Sequence, residues 1–276
     1  MAINQRGSSN SAAGNHEFKR MGSRSPCPAL NILANHGYVT RDGTNLTFLE
    51  VVKAMVFVYN LSYPLAIFLA MAGFLTAGKL SYPKPAFEFS QNPSPRSWGQ
   101  TLTSLPLVII RGLLSLLPTF TLDLTSLSQR GRWKIAHDAS FVHPNGKPSN
   151  APDPTLVQNL LRSADKVGGG FSLHDIVMFH VSRVKSTTQS QSLDNVHSQV
   201  VLGECALTWL MLRASGSDAK GFVPVSRLGQ WFGEERLPDN WWKDGEDGVR
   251  PKAVVGLLGT RRLANYIGFL AQAQLN

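Results

Sequence analysis

The chain has 276 residues, enough to enclose a sizeable core and a cofactor, and 27 Lys and Arg against 18 Asp and Glu give it a formal charge of +9. The basic residues are scattered (Arg20, Arg24, Lys53, Lys79, Arg111, Arg130), with no run and no interleaved aromatic platform, so the charge reads as a solvated basic surface and no nucleic-acid partner is expected. Two cysteines, Cys27 and Cys205, exclude a disulfide scaffold.

Residues 1–22 are rich in Ser, Asn, Gly and basic residues and lack apolar periodicity. They read as a disordered leader with no signal peptide, since the apolar h-region is missing, which favours an intracellular protein. Pro28 at a first helical position and Gly37 just past the end predict a short helix between them. After a polar turn, Arg41 to Asn45, a second helix is predicted near Thr47, with Glu50 at the spacing of a capping box.

Residues 54–78 carry no charge. With a second apolar stretch further on they read either as a pair of buried helices in a large helical core or as segments inserted in, or associated with, a membrane; Asn60, Ser62 and Pro64 inside this first run favour the core. A Pro- and Ser-rich linker, Ser81 to Ser97, leads to a second apolar stretch, Leu105 to Leu122. Beyond a turn-rich stretch, His143 to Pro154, helices are predicted over Pro154 to about Val167 and from near Ser172. Further helices are predicted over Ser198 to Leu212, Val225 to Phe232 and Pro251 to Gln274. Strand signals are scarce and no fixed repeat occurs, so the expected fold class is mainly α.

Three places carry candidate chemistry. Cys27 lies between two prolines at a helix start, where its sulfur would face the free amides of Ala29 and Leu30, a setting that lowers a thiol's pKa. A thiolate there can be a nucleophile, a zinc ligand or an axial haem ligand. Zinc is disfavoured because no second cysteine stands at C-x-x-C spacing, several histidines compete as partners for a nucleophile, and an inert buried cysteine is the bland alternative. Glu204 interrupts an otherwise apolar helix. That is costly unless the carboxylate has a partner or a function, the bland alternative being a side chain that reaches solvent at the helix edge. His137-Asp138, read alone, is an ordinary polar pair.

The run Pro26-Cys27-Pro28-Ala29-Leu30-Asn31-Ile32-Leu33-Ala34-Asn35-His36-Gly37-Tyr38 resembles the proximal signature of the fungal haem-thiolate peroxidases, the helical family of chloroperoxidase and the unspecific peroxygenases. The resemblance implies that Cys27 binds the iron of haem b, with the amides of Ala29 and Leu30 against its sulfur. Ile135-Ala136-His137-Asp138-Ala139-Ser140 is similar to the family's Glu-His-Asp-x-Ser segment. It implies His137 and Asp138 in the catalytic set and Ser140 as a magnesium ligand. Ala136 stands where the family has glutamate, so the magnesium site lacks its charged partner. Leu202-Gly203-Glu204-Cys205-Ala206-Leu207 is similar to the segment that carries the distal acid–base glutamate, and so assigns that role to Glu204.

At the position of His197 the longer peroxygenases carry an arginine, so the chain looks closer to the shorter, chloroperoxidase-like branch, with His137 or His197 assisting. Trp231 to Pro238 resembles a C-terminal region that reads as structural. The resemblance implies one helical haem-binding domain of the chloroperoxidase type over 23–274, with an insertion at about 81–119. The implied activity uses hydrogen peroxide to oxidise or oxygenate a small apolar organic metabolite in fungal secondary metabolism. The rival reading is a non-catalytic, membrane-associated helical protein that keeps the fold, favoured by Ala136 and the apolar insertion.

Overall fold

The computed structural model describes residues 16–81, 118–164, 170–187, 193–214, 221–245 and 247–275. Residues 1–15 of the expected leader, nearly all of the Pro- and Ser-rich linker, and the second apolar stretch up to residue 117 lie outside the described residues.

Helix α1 (Pro28–Asn35) starts at Pro28 with Cys27 in the extended N-cap conformation. Its end follows from Gly37, whose φ of +68 suits glycine; a Cβ there would also lie 2.9 Å from the Arg41 guanidinium. Helix α2 (Phe48–Tyr59) begins with the expected capping box: Thr47 Oγ1 accepts from the Glu50 amide at 3.3 Å, and the Glu50 carboxylate accepts from the Thr47 amide at 3.4 Å.

The uncharged run 54–78 is two helices rather than one span. Asn60 adopts the left-handed conformation (φ 53) and ends α2, and Ser62 then caps α3 (Tyr63–Ala77). Residues beyond the corner lock it, since Val255 N donates to Asn60 O at 3.0 Å and Ser62 N donates to Val255 O at 2.9 Å. Among the described residues no helix is long and apolar enough to cross a membrane, which corrects the reading of 54–78 as a membrane-inserted segment. Leu65, Ala66, Ala70 and Phe74 fill the core side of α3, while Ile67, Phe68, Met71 and Leu75 on its other side are exposed.

Short strands flank this corner. β1 (Leu46–Thr47), β2 (Gly78–Ser81) and β3 (Thr119–Leu122) form an antiparallel sheet in the order β1-β3-β2. A second pair joins β4 (Gly170–Ser172) to β5 (Phe222–Pro224). Strands this short carry too few alternations to register in a sequence pattern.

The second half is helical: α4 (Pro154–Ala164), α5 (Leu173–Lys185), α6 (Asn195–Leu212), α7 (Val225–Leu228) and α8 (Leu257–Leu275). The helix expected over Val225 to Phe232 is one α turn running into a π turn, Gly229–Gly233. The last helix starts at Leu257 rather than Pro251, because Val255 is taken up by the bridge to Leu61. Helix α6 packs along α8, and α5 also lies against α8. Gly268 permits the close approach: a Cβ there would sit 2.9 Å from Leu202 Cδ1 of α6. The fold is mainly α, as expected, with α1 and α6 joined through one buried core.

Candidate active site

Cys27 is half-buried at the head of α1. Its sulfur lies in front of the Ala29 and Leu30 amides, which favour the thiolate without closing a cap hydrogen bond. Burial outweighs them, and the negative charges of Glu204 and Glu235 add to it, so the thiol is pushed up to about 11. That corrects the sequence expectation of a lowered pKa: the helix end is present, but no cation stands beside the sulfur to complete the effect.

A buried polar network fixes where α1 points. Glu235, 1 % exposed and left-handed at φ 53, accepts from Asn31 Nδ2 and Ser23 Oγ, both at 2.6 Å. Its backbone carbonyl accepts from Asn35 Nδ2 at 3.0 Å. Arg24, itself buried, donates through Nη2 to Asn35 Oδ1 at 2.9 Å and through its amide to Asn31 Oδ1 at 3.2 Å. The Trp231 to Pro238 region read as structural thus supplies the anchor of the cysteine helix. Its signal in sequence, a Glu in a Gly-Glu-Glu-Arg run, looks like surface.

Glu204 sits on α6 in a stripe with Val200, Gly203 and Leu207 that stays partly open while the other faces of the helix are buried. A Cβ built on Gly203 would meet nothing within 4 Å, so there is space beside the carboxylate. Glu204 Oε2 is buried and has no hydrogen-bond partner among the described residues. Burial holds the acid up to about 7, opposed by the Phe141 backbone amide and by the charge of Arg183. Glu204 acts electrostatically on Cys27, so the two lie near one another although they come from helices far apart in the chain.

The loop from His137 to Gly146 joins these parts. Phe141 supplies the amide facing Glu204, and its ring is fully buried against Phe179 and Phe232, with centroids 5.6 Å away in each case. Arg183 of α5, which sequence reasoning missed, clamps the loop: Nε donates to Ser140 O at 2.7 Å, and Nη2 donates to His143 O at 2.8 Å and Asn145 Oδ1 at 3.1 Å. His143, also missed, has the carbonyls of Ala151, at 3.1 Å, and Pro26 at its ring nitrogens. Burial takes it down to about 4, so the ring is neutral and its single proton serves one carbonyl at a time. It ties the loop to the residue before Cys27.

His137 is likewise brought down to about 4, by burial first and then by the positive neighbours His197 and Arg130. Its Nδ1 lies 2.9 Å from Asp138 O, an acceptor, so Nδ1 carries the proton and Nε2 keeps a free lone pair. Among the described residues no hydrogen bond joins His137 to Glu204. His197 faces Lys134 O (2.9 Å) and Asp194 (3.0 Å) instead. Asp138 is buried and engaged: it pairs with Arg130 at 2.6 Å and accepts from the Gly146 amide at 2.6 Å.

These residues fit a thiolate-held haem. The Cys27 sulfur is backed by two amides, and Glu204, with an orphaned carboxyl oxygen, lies near enough to act on it from a helix whose neighbouring Gly203 meets open space. They do not fit a magnesium ion. Ala136 offers no side-chain oxygen, Asp138 is committed to Arg130 and Gly146, and the described residues hold no cluster of His, Cys, Asp and Glu suited to a metal.

The chain belongs to the fungal haem-thiolate peroxidase family: the pattern described as "Peroxidase, family 2" matches residues 15–246. Over 257 residues it is 37% identical to the dothistromin biosynthesis peroxidase dotB of Dothistroma septosporum, a match covering 84% of this chain and 56% of the relative. It is 38% identical over 86 residues to the aromatic peroxidase fscJ of Fusarium equiseti (29% of this chain, 19% of that one). An aromatic peroxygenase of Coprinellus radians is 39% identical over 57 residues, 21% of this chain and 22% of that one. The chain thus spans little more than half of the dothistromin relative and a fifth of fscJ.

Proposed function

We propose that this chain is a haem-thiolate peroxidase or peroxygenase in which Cys27 holds the iron of haem b and Glu204 moves the protons of hydrogen peroxide, to oxidise or oxygenate a small apolar organic molecule of fungal secondary metabolism. The observation that carries the reading is the buried Glu204 Oε2, unpartnered among the described residues, on a carboxylate whose charge acts on Cys27 at the head of α1. Held by a thiolate, haem supplies heterolytic cleavage of the peroxide O–O bond.

The chain's own residues supply the rest. With its proton held up to about 7, Glu204 is poised to take a proton at Oε2 from the inner peroxide oxygen and return it to the departing outer oxygen near neutral pH. The Phe141 amide orients the other carboxyl oxygen, and Arg183 fixes Phe141 through the flanking Ser140 and His143 carbonyls. His137, neutral with Nε2 free, supports an assisting role as a proton acceptor, and Asp138 serves by holding the loop to Arg130. The partly open apolar stripe of Val200 and Leu207 supports an apolar substrate. The printed name of the dothistromin relative supports a place in a biosynthetic route.

Ala136 favours a second reading, a non-catalytic protein that keeps the fold. One measurement separates the two: the absorption spectrum of the haem-supplemented protein, reduced under carbon monoxide, beside Cys27→Ala. A strongly red-shifted Soret band that vanishes in the variant is expected. Absence of a haem band, or a band indifferent to the substitution, would overturn the proposal.

A further inference from the structure

The cysteine helix leads through Tyr59 into a chain of aromatic rings. Tyr59, fully buried, donates its hydroxyl proton to Ala29 O at 2.6 Å, two residues beyond Cys27, and feels the charge of that sulfur. Its ring centroid lies 5.4 Å from Trp231 and 6.1 Å from Trp241, and the two indoles are 6.1 Å apart. Trp241 is 3 % exposed, but the next residue, Trp242, is 45 % exposed. Trp242 stands 6.2 Å from Tyr38 and directs its indole N–H to the Tyr38 hydroxyl. Together with Trp241, His36 and Lys243 these two rings line an open surface groove of about 480 Å³.

Core packing accounts for one buried tryptophan beside a tyrosine. It does not account for a series that runs from the cysteine helix to Trp241 and continues through its chain neighbour Trp242 into a groove walled by a half-exposed tryptophan and a tyrosine. We propose that this series is a relay for single electrons, and that the groove is a second oxidation site, for aromatic donors too bulky to reach the interior. The proposal rests on the peroxidase reading above, which supplies the oxidant.

The chemistry balances as follows. Hydrogen peroxide accepts two electrons and two protons and leaves as two waters. Each of two phenolic donors at the groove gives up one electron and one proton and becomes a phenoxyl radical. Electrons travel inward from Trp242 through Trp241 to the Tyr59 end. Tunnelling through protein falls off steeply with distance, so the peptide link from Trp242 to Trp241 and buried rings 5.4–6.1 Å apart divide one long transfer into short ones.

The hydrogen bonds assign the stations. Tyr59 has only a carbonyl to receive its proton, which cannot take it, so Tyr59 bridges rather than stops the charge. Trp241 Nε1 donates to Val58 O at 3.0 Å, a carbonyl that also accepts from Arg250 Nε at 3.1 Å. The Arg250 guanidinium, 5.5 Å from the Trp242 ring as well, opposes a lasting positive charge on either indole, so Trp241 bridges, and Trp242, whose N–H points at the Tyr38 hydroxyl, is oxidised with loss of its proton through that hydroxyl to the groove water.

The test uses the full haem-supplemented chain, peroxide, and two donors: a free small phenol and the same phenol tethered to a dextran that cannot enter the protein. Trp242→Phe and, separately, Trp241→Phe are expected to slow oxidation of the tethered phenol at least about tenfold while leaving the free phenol within about twofold. Freeze-quench electron paramagnetic resonance of the wild type should show a tryptophan-centred radical that the Trp242 variant loses. A tethered phenol that the wild type does not oxidise, or that both variants oxidise at the wild-type rate, overturns the relay. With the thiolate Soret band intact, that result leaves the peroxidase reading standing; no Soret band overturns both.

Discussion

Glu204→Gln should make the protein more stable at pH 8 and no more stable at pH 4. The acid keeps its proton up to about 7 in the folded chain, against 4.5 for an ordinary glutamate. Below 4.5 the folded and unfolded chains are both protonated and the burial of Glu204 costs nothing electrostatic. Between 4.5 and 7 the folded chain holds a proton that the unfolded chain has lost, so stability falls as pH rises. Above 7 the penalty is complete. An interval of about 2.5 pH units, at 1.36 kcal/mol each, makes it about 3 kcal/mol.

Glutamine never ionises, and its side-chain carbonyl can still accept from the Phe141 amide. Urea unfolding of the haem-free protein, followed by circular dichroism, should give coincident curves for wild type and variant near pH 4 and a gap of about 3 kcal/mol at pH 8. The same substitution should lower peroxide turnover by about 10²-fold or more, the worth of a positioned acid–base group. A stability gap equal at both pH values, or a variant weaker at pH 8, would refute the reasoning that Glu204 is an uncompensated buried acid.

Arg183→Met strands the buried Ser140 and His143 carbonyls at about 1–3 kcal/mol each, partly offset by relief of guanidinium burial. A net loss of about 2–4 kcal/mol in urea is expected, and under 1 would argue that the clamp is dispensable. With its thiol pushed up to about 11, Cys27 should react slowly with iodoacetamide at neutral pH. The rate, read by mass spectrometry of its peptide, should rise about tenfold per pH unit through pH 9; a plateau by pH 8 would contradict it. Thr47→Ala opens the capping box of α2 and should cost about 1 kcal/mol in denaturant unfolding.

What could be read from the sequence was what local rules decide. Pro28 and Gly37 bound α1, and Thr47 and Glu50 cap α2. The preference for core over membrane in 54–78 rested on Asn60, Ser62 and Pro64, the residues at the observed break, although the division of that run into two helices was not foreseen. Glu204 stood out because an acid amid apolar helical residues demands a reason. Arg183, His143 and Glu235 did not stand out. An arginine in the last turn of a helix is where the helix dipole would put a surface cation, and only packing against the His137–Gly146 loop buries it. Asp138 showed the converse error of scale: its sequence context drew attention to chemistry, whereas its partners are a turn amide and Arg130. The raised Cys27 thiol was hidden for the same reason, since the nearby acids come from distant segments.

The bonds that hold α1 span nearly the whole chain: Ser23 and Asn31 meet Glu235 across sequence separations of 212 and 204. Contacts of such length form late, after the intervening loop entropy has been met. On the ribosome the carboxylate that orients the helix of Cys27 arrives more than two hundred residues after Cys27 itself. Under the proposed function, haem capture therefore waits for Glu235, and a nascent chain halted before it would display Cys27 without the means to aim its helix.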